Sequence, residues 1–460
     1  MFERVLRDKI VDFLEENCIL NNNQHGFRKG RSCLSELLAH YEEILRNANT
    51  GEGTDTVYLD FAKAFDKVDH KLLLKKLESV GIKGKLLNWL KAFLSNRKQE
   101  VVISGFKSFM WAVLSGVPQG SVLGPILFLI FINDIGDSLL NAKLKSFADD
   151  TKLSCPISCQ ADSDKLQEDL TRVMEWSVVN NMALNEEKFE FLNHHYKFDT
   201  TILELPFGYY NSCYKTMNST LIESSNTVKD LGVTFSSDST FKAHIASIVK
   251  KAKNKAAWIL SVFQTRSRFE MMEFYKTYVR SHLEYCCPLW NPSGPGSITS
   301  IKMLEGVQRT FTSKITSLRD QNYWQRLKSL NLMSLQRRRE RYIIIYMWKI
   351  LNGETPNDLN VSFHTNQRAH IKAHVPKIPL QRQNLTNYDK SFSVLGPKLW
   401  NLLPADCTLL LHSLEKFKQS LDKFLQQFPD QPPTNGYFSP NYNSLLDWAS
   451  SSSTTYGIQS

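Results

Sequence analysis

The stretch that decides the fold is Ser146–Leu153, with the sequence Ser-Phe-Ala-Asp-Asp-Thr-Lys-Leu. Strand-forming residues flank two adjacent acids, Asp149 and Asp150, and this pattern predicts a tight β-hairpin with both carboxylates at its tip. Adjacent acids on a turn repel each other, and either water or divalent cations can stabilise them. Taken alone, such a pair most often marks a solvated turn.

A third acid in an unusual position favours the second interpretation. The apolar strand Val57–Leu59 runs directly into Asp60, where a lone charge indicates a bound partner. Carboxylates on neighbouring strand ends could hold two Mg²⁺ ions about 4 Å apart, an arrangement that supports in-line phosphoryl transfer. The candidate ligands are Asp60, Asp149 and Asp150.

Further motifs surround these acids in a fixed order, and together they resemble a reverse transcriptase. The similarity is to the type carried by non-LTR (LINE-type, jockey-like) retrotransposons. The similarity is strong over the first half of the chain, and over the remainder it is limited to general character. Besides the two acidic stretches, the motifs that carry the resemblance are Gln24–Ser32, Ser115–Pro125 with its Pro-Gln-Gly centre, Asn185–Lys188 and Val228–Val233.

The resemblance implies an α+β fold: a right-hand polymerase palm and fingers, followed by a mostly α-helical thumb and C-terminal region. The order of predicted elements agrees, because strand, helices, hairpin, buried apolar helix and acidic hairpin suit a split antiparallel sheet with helices on one face. The expected domains are partial fingers at 1–55, a palm at 56–235, a basic helical thumb at 236–350, a helical region at 351–428 and a disordered tail at 429–460.

The resemblance also implies roles at the active site. Asp60 and Asp149 would bridge two Mg²⁺ ions, with Mn²⁺ as an alternative, and Asp150 would lie more peripherally. The backbone carbonyl of Phe61 would help to coordinate, and Lys188 matches the lysine that protonates the departing pyrophosphate. A further acid, Asp66, is expected to cap the helix that follows it.

Three residues are expected to contact the substrate. Phe65 aligns with the family's sugar gate, whose ring excludes a ribose 2′-hydroxyl; the alternative is plain core packing. Gln119 and Gly120 would lie where the template base meets the incoming nucleotide. Glycine permits close backbone approach, and glutamine offers both a donor and an acceptor.

The charge balance favours a polyanionic partner. The chain has a net charge of +10 and a pI near 9.0, and neutralisation of phosphates dominates nucleic-acid affinity. A basic loop before the palm and basic helices after it could carry the template and duplex; solvated polar faces are the alternative. The predicted nucleic-acid-binding residues are Arg28, Lys29, Arg31, Lys250, Lys251, Arg337, Arg338 and Arg339, with Arg341 in the same cluster.

Cysteine usage and hydropathy bear on the compartment. Eight cysteines without paired Cys-x-x-Cys sets predict free thiols in a reducing compartment. The apolar run Val122–Ile132 is too short to span a bilayer, and the charged N-terminus does not resemble a signal peptide. We therefore expect an intracellular protein of the nucleus, the cytoplasm or both, without membrane association; the sequence identifies no protein partner.

The predicted function is RNA-directed DNA polymerisation, in which deoxynucleotide triphosphates extend a DNA primer along an RNA template. One alternative is a catalytically silent retroelement remnant that only binds nucleic acid. Another is an intron-type maturase, although the chain has no recognisable domain of that kind. The resemblance implies a longer fingers region and an endonuclease further upstream. We expect both to be missing here, and we therefore expect this chain to polymerise poorly or not at all by itself.

Overall fold

The computed structural model describes residues 1–194, 213–294, 296–359, 377–380, 391–404, 407, 413–431 and 443–448. The chain forms two compact units. The first comprises residues 1–36 and 51–231, and the second comprises residues 37–50 and 232–460.

A five-stranded sheet forms the centre of the first unit. Its middle strand, Gly53–Leu59, pairs antiparallel with Asp150–Ile157 on one side and with Glu190–His194 on the other. Lys143–Phe147 pairs antiparallel with Asp150–Ile157 at one edge, and Glu223–Ser225 runs parallel to Glu190–His194 at the other. Four of the strands therefore form the predicted antiparallel sheet, and the α+β fold class is confirmed.

Helices pack against this sheet and close its core. The run Gly124–Ile132 is apolar nearly all round, and every side chain in it except Pro125 is buried, as the sequence predicts. Asp69 caps the helix His70–Ser79 by accepting hydrogen bonds from the backbone N–H groups of Lys71 and Leu72. The other helices and short strands of this unit are Phe2–Glu16, Ala64–Lys67, Gly84–Leu94, Gln160–Val179, the 3₁₀ turn Glu186–Lys188 and the strand Thr227–Asp230.

A hairpin extends from the helix Gly84–Leu94, as the alternating sequence predicts. It turns at Ser104 and Gly105, both of which have a positive φ. Every residue from 98 to 112 is exposed. Its short strands are Lys98–Gln99, Val102–Ile103, Phe106–Lys107 and Trp111–Ala112.

The second unit is mostly helical. The helix Leu335–Leu351 packs against several other helices of this unit and buries twelve of its residues, eight of them apolar and four of them polar or charged. No helix among the residues that the structure describes is long and apolar enough to cross a membrane. Besides the strand Val233–Ser236, the main elements are Lys242–Val262, Arg268–Phe274, Tyr275–Arg280, Ser281–Glu284, Cys287–Trp290, Ile298–Thr312, Tyr323–Leu330, Phe392–Trp400 and Leu414–Leu425.

The helix Cys33–Asn49 differs from the expectation that residues 1–55 form one region. Its residues from 37 onward belong to the second unit. Tyr41 donates a hydrogen bond to the carbonyl of Ser239, and Glu42 accepts hydrogen bonds from the backbone and side chain of Ser393. Buried polar contacts of this kind tie the segment to the helical unit.

The predicted disordered tail is wrong for residues 443–448. Leu445 is fully buried there, and its backbone N–H donates to Glu340. Ser444 donates to the same carboxylate, and Asn443 donates to Asp430. The segment Asn-Ser-Leu-Leu-Asp-Trp therefore combines a buried leucine with polar groups that have buried partners; the rest of the tail beyond residue 431 lies outside the described residues.

Candidate active site

The three predicted metal ligands lie where the middle strand of the sheet ends and its neighbouring strand begins. Asp60 directly follows the middle strand Gly53–Leu59, and the turn that carries Asp149 leads into the strand that begins at Asp150. Because Leu59 pairs with Thr151 across the ladder, the end of one strand lies beside the start of the other. The hairpin predicted around Asp149 and Asp150 is present, with Phe147 opposite Asp150.

The charges of these acids act on one another, as expected for carboxylates that lie close together. Burial raises the pKa of Asp149, and the charge of Asp60 raises it further. Burial and the charges of Asp149, Asp230 and Asp60 together raise the pKa of Asp150 to about 6. The Nζ atom of Lys188 lies 3.1 Å from Oδ2 of Asp60, so the lysine lies at the site that the sequence predicts. A bound cation would relieve the repulsion that remains.

A polar cleft of about 160 Å³ opens at these strand ends. Asp60 and Asp150 form one side of it, together with Lys188. The remaining lining residues include Glu36, Tyr58, Lys152, Glu190, Lys229 and Asp230.

The donor set suits a hard divalent cation. Carboxylate oxygens are the preferred ligands of Mg²⁺, which usually takes one or two protein carboxylates and completes its shell with water and substrate phosphates. Among the described residues, no group of three or more His, Cys, Asp or Glu side chains is arranged to hold a metal ion by itself. The residues present therefore fit Mg²⁺ only as a site of one or two carboxylates, completed by water and substrate. The side chain of Phe61 is buried, and the coordination by its backbone carbonyl stays a prediction.

A buried ion triad lies behind the acidic turn, and the sequence analysis did not predict it. Lys152, two residues beyond Asp150, is 2.7 Å from Glu36 and also pairs with Asp230. Burial alone would lower the pKa of Lys152, but the charges of Asp230 and Glu36 outweigh it and raise that pKa. The only sequence signal was a lysine at a position where strand side chains face inward, and this triad fixes the strand that carries Asp150.

Phe65 is half-buried and makes two aromatic contacts. Its ring stacks on Phe128 with centroids 4.3 Å apart, and it meets the edge of Phe27 at 6.1 Å. Packing on one side holds the ring in a fixed orientation. Both predicted roles, sugar gate and core packing, are compatible with this arrangement.

The Pro-Gln-Gly loop is attached to the segment that carries Phe65. The backbone N–H groups of Gly116 and Val117 donate to the carbonyls of Val68 and Phe65, respectively. Gly116 has a φ of +84°, and a Cβ there would lie 2.7 Å from the carbonyl oxygen of Asp66, so only glycine fits. Arg97, which the sequence analysis did not single out, donates to the Gly116 carbonyl.

Asp66 does not cap the following helix, and that prediction is wrong. It lies inside the short helix Ala64–Lys67, and Asp69 is the cap instead. The Asp66 carboxylate accepts a hydrogen bond of 2.9 Å from the side-chain amide of Gln119. Gln119 and Gly120 are both exposed beside it.

The basic loop before the palm is not a free cationic surface. Arg28 is nearly buried and binds the carboxylate of Glu15 at 2.6 Å. Arg31 donates to the carbonyl of Asn22. Both arginines are used in contacts that fix this loop, so Lys29 is the member of the predicted set that stays exposed.

Two members of the arginine cluster in the second unit are buried, so the prediction that Arg337 and Arg339 contact a duplex is wrong. Arg337 and Arg339 are buried, with exposures of 1% and 0%. Arg338 forms a salt bridge with Glu284, and Arg341 forms one with Asp422. Arg338 and Arg341 thus pair with acids 54 and 81 residues away along the chain. Arg337 lies 3.9 Å from Glu340, three residues on, and Arg339 donates to Asn291.

Lysines of the helix Lys242–Val262 remain available. Lys250 and Lys251 are exposed, as are Lys253 and Lys255 one turn further on. Trp258 is 53% exposed, and the Nζ of Lys255 lies 5.8 Å from its ring centroid. Exposed lysines beside an exposed aromatic ring are typical of nucleic-acid contacts.

The chain belongs to the reverse transcriptase (RNA-dependent DNA polymerase) family, which it matches over residues 1–235. Its relatives include polymerases of the predicted non-LTR kind. It is 29% identical over 328 residues to the probable RNA-directed DNA polymerase from transposon X-element of Drosophila melanogaster, covering 69% of this chain and 34% of that protein. It is 28% identical over 316 residues to the RNA-directed DNA polymerase from mobile element jockey of Drosophila funebris, covering 66% and 33%.

The chain thus spans about a third of the length of these relatives. Among solved structures it is similar to telomerase from Candida albicans in complex with a fragment of telomeric RNA. That likeness has a TM-score of 0.44 at 12% identity and covers 73% of this chain and 52% of the telomerase. The predicted resemblance to non-LTR retrotransposon reverse transcriptases is confirmed, and this family generally uses divalent metal ions.

Proposed function

We propose that this chain is an RNA-directed DNA polymerase that extends a DNA primer on an RNA template, with release of pyrophosphate from each deoxynucleotide triphosphate. The observation that carries the proposal is the meeting of Asp60 with the Asp149–Asp150 turn at the ends of neighbouring strands, within the 235 residues that match the family. Three carboxylates that repel one another beside an open cleft suit metal-assisted phosphoryl transfer.

Asp60 and Asp149 would hold Mg²⁺, or Mn²⁺ in its place, and Asp150 would shape the field around them. When bound, divalent ions lower the pKa of an attacking hydroxyl and stabilise the charge on the leaving oxygens. Lys188 would donate a proton to pyrophosphate, a role that the 3.1 Å distance between its ammonium group and the Asp60 carboxylate supports. In the substrate-bound state this ammonium group would turn from the carboxylate to the phosphates.

The nucleotide would be selected by the segment that carries Phe65 and by the loop attached to it. The stacked ring of Phe65 cannot move aside easily, so it would exclude a ribose 2′-hydroxyl by bulk. Gln119 and Gly120 would face the base pair between the template and the incoming nucleotide.

The duplex of template and primer would be held by the exposed lysines of Lys242–Val262, including Lys250 and Lys251, with Lys29 as a further contact.

All eight cysteines are free thiols, which suits a reducing intracellular compartment, the nucleus or the cytoplasm.

A silent remnant that only binds nucleic acid is not favoured, because its acids would have no reason to stay together at an electrostatic cost.

The test is primer extension by the full 460-residue chain on a homopolymeric RNA template with a complementary DNA primer. We expect extension with Mg²⁺ and deoxynucleotides, at the low rate that the sequence analysis predicts for this chain by itself, and none after chelation of the metal. A matched reaction with ribonucleotides should give little product. Binding of the primer–template without any extension, in either Mg²⁺ or Mn²⁺, would contradict the proposal and support the silent remnant.

A further inference from the structure

The turn that carries the acids has an unfavourable backbone. Ala148, immediately before Asp149, has a φ of +57°. Residues with a Cβ seldom adopt this left-handed conformation, and they persist in it only when their surroundings enforce it. Something outside the hairpin must therefore hold Ala148 in place.

The side-chain amide of Gln24 supplies that restraint. Its Oε1 accepts a hydrogen bond of 2.8 Å from the backbone N–H of Ala148, and its Nε2 donates to the Ala148 carbonyl at 3.2 Å. The same Nε2 donates to the hydroxyl of Ser146 at 3.1 Å. One amide group thus binds both backbone polar groups of the left-handed residue, and Gln24 is itself buried, with 5% exposure.

The backbone on either side of Gln24 lies along the same hairpin. The N–H of His25 donates to the carbonyl of Ser146 at 2.8 Å, and the N–H of Ser146 donates to the carbonyl of Asn23 at 3.0 Å. The segment therefore adds a short parallel bridge to the edge of the sheet.

Gly26 lets this segment approach the turn closely. A Cβ at Gly26 would lie 2.4 Å from the backbone nitrogen of Ala148, so no other residue fits without a shift. The Gly26 N–H also donates to Oε1 of Gln24 at 2.8 Å, which orients the amide.

We propose that Gln24 is a positioning residue for the metal-binding carboxylate of Asp149, acting through the backbone of Ala148, with Gly26 permitting the contact. The inference rests on the proposed function, since it assigns Gln24 to the support of that same site. Partners that orient a ligand from outside the coordination shell typically contribute 10–100-fold in metal affinity or activity. The sequence analysis used the Gln24–Ser32 motif for the family resemblance and gave a role only to its basic residues; its first and third residues hold the acidic turn.

Three measurements on the full chain test this role. Hydrogen exchange of the peptide that contains Ala148 reports the restraint, Mn²⁺ binding followed by electron paramagnetic resonance reports the site, and primer extension reports kcat and KM separately. For Gln24→Met, we expect exchange at Ala148 to rise on the order of tenfold, because its amide loses its acceptor. We expect Mn²⁺ affinity and kcat to fall roughly 10–100-fold, with the KM for deoxynucleotide unchanged.

The matched control is Asn133→Leu. Asn133 is also a side-chain amide that bridges backbone groups in the first unit, accepting from the N–H of Asn21 and donating to the carbonyl of Ile19. Its removal should lower thermal stability, as the removal of Gln24 does, but leave Mn²⁺ affinity and exchange at Ala148 at parental values. Equal effects of both variants on Mn²⁺ affinity would reduce Gln24 to a general stability role and overturn the inference.

If Gln24→Met does not fold, the same measurements are made on Gly26→Ala with the same expected results, because this variant keeps the amide and displaces only the turn. Parental Mn²⁺ affinity in whichever variant folds would refute the inference while leaving the proposed function intact. The proposed function fails separately if Asp149→Asn binds Mn²⁺ as tightly as the parent chain does.

Discussion

The side-chain amide of Gln119 donates a hydrogen bond of 2.9 Å to the carboxylate of Asp66, fifty-three residues earlier in the chain. Alongside it, the Ser115 hydroxyl donates to the Asp66 carbonyl at 2.9 Å. These two hydrogen bonds therefore hold the loop that would meet the incoming nucleotide against the segment that carries Phe65.

We predict that Asp66→Ala and Gln119→Ala each raise the KM for deoxynucleotide, because the freed loop must be ordered again at each binding event. Since the two residues act as a unit, the double variant should be little worse than either single one, with a coupling of about 0.5–1 kcal/mol. The control is the exposed pair Gln160 and Asp164, also joined by a Gln-to-Asp hydrogen bond, whose variants should leave KM unchanged. Additive effects at Asp66 and Gln119 would show that the bond is incidental.

A second prediction concerns selection of the sugar. Phe65→Val should relax the preference for deoxynucleotides over ribonucleotides by at least about tenfold, because bulk is what excludes the 2′-hydroxyl. The measurement is incorporation of each nucleotide opposite a fixed template. Phe93, which stacks on Trp89 at 5.3 Å in the same unit, provides the control, and Phe93→Val should keep the preference. An unaltered preference in Phe65→Val would make this ring a core residue only.

The duplex-binding surface can be separated from the buried arginines. Replacing Lys250, Lys251, Lys253 and Lys255 by alanine should weaken binding of a primer–template. It should also flatten the log–log salt dependence by up to about 0.9 for each phosphate that is no longer neutralised. Arg339→Met should leave that slope unchanged, since the Arg339 side chain is buried beside Asn291. A flatter slope for Arg339→Met, or a parental slope for the lysine variant, would indicate that the arginine cluster binds the duplex.

Stability should depend on pH through Glu42. Burial raises the pKa of Glu42, although hydrogen bonds from Ser393 partly oppose it. A carboxyl whose pKa is raised by folding contributes stability below its unfolded pKa, and that contribution is lost as pH rises through the folded value. We therefore expect Glu42→Gln to melt at a higher temperature than the parent at pH 7 and to converge with it near pH 4. A constant difference across this range would contradict the assignment.

Local patterns were enough to predict the palm. The end of an apolar strand predicted the position of Asp60, and the hairpin pattern predicted the positions of Asp149 and Asp150. The apolar run predicted the buried helix Gly124–Ile132. Each of these depends on residues within about ten positions of one another, where periodicity and turn chemistry decide the structure.

Features that depend on distant partners were missed. The sequence shows Arg337 and Arg339 as two members of a basic run, and nothing local reveals that the fold buries both of them. Lys152 pairs with Glu36 and Asp230, which lie 116 residues before it and 78 after it, and Gln24 binds Ala148 across 124 residues. Ion pairs and side-chain hydrogen bonds between remote segments follow from the tertiary fold and leave no periodic signal.

The measurement that tests the account most directly is primer extension by Asp149→Asn. Under the proposed function, the carboxylates hold metal and the lysines hold the duplex. This variant should therefore lose extension by several kcal/mol of transition-state stabilisation while binding the primer–template as the parent does. Asp12→Asn, which removes an exposed carboxylate from the helix Phe2–Glu16, should extend primers at the parental rate. Extension by Asp149→Asn at even about a tenth of the parental rate, a deficit of only about 1.4 kcal/mol, would contradict metal-assisted catalysis at this turn.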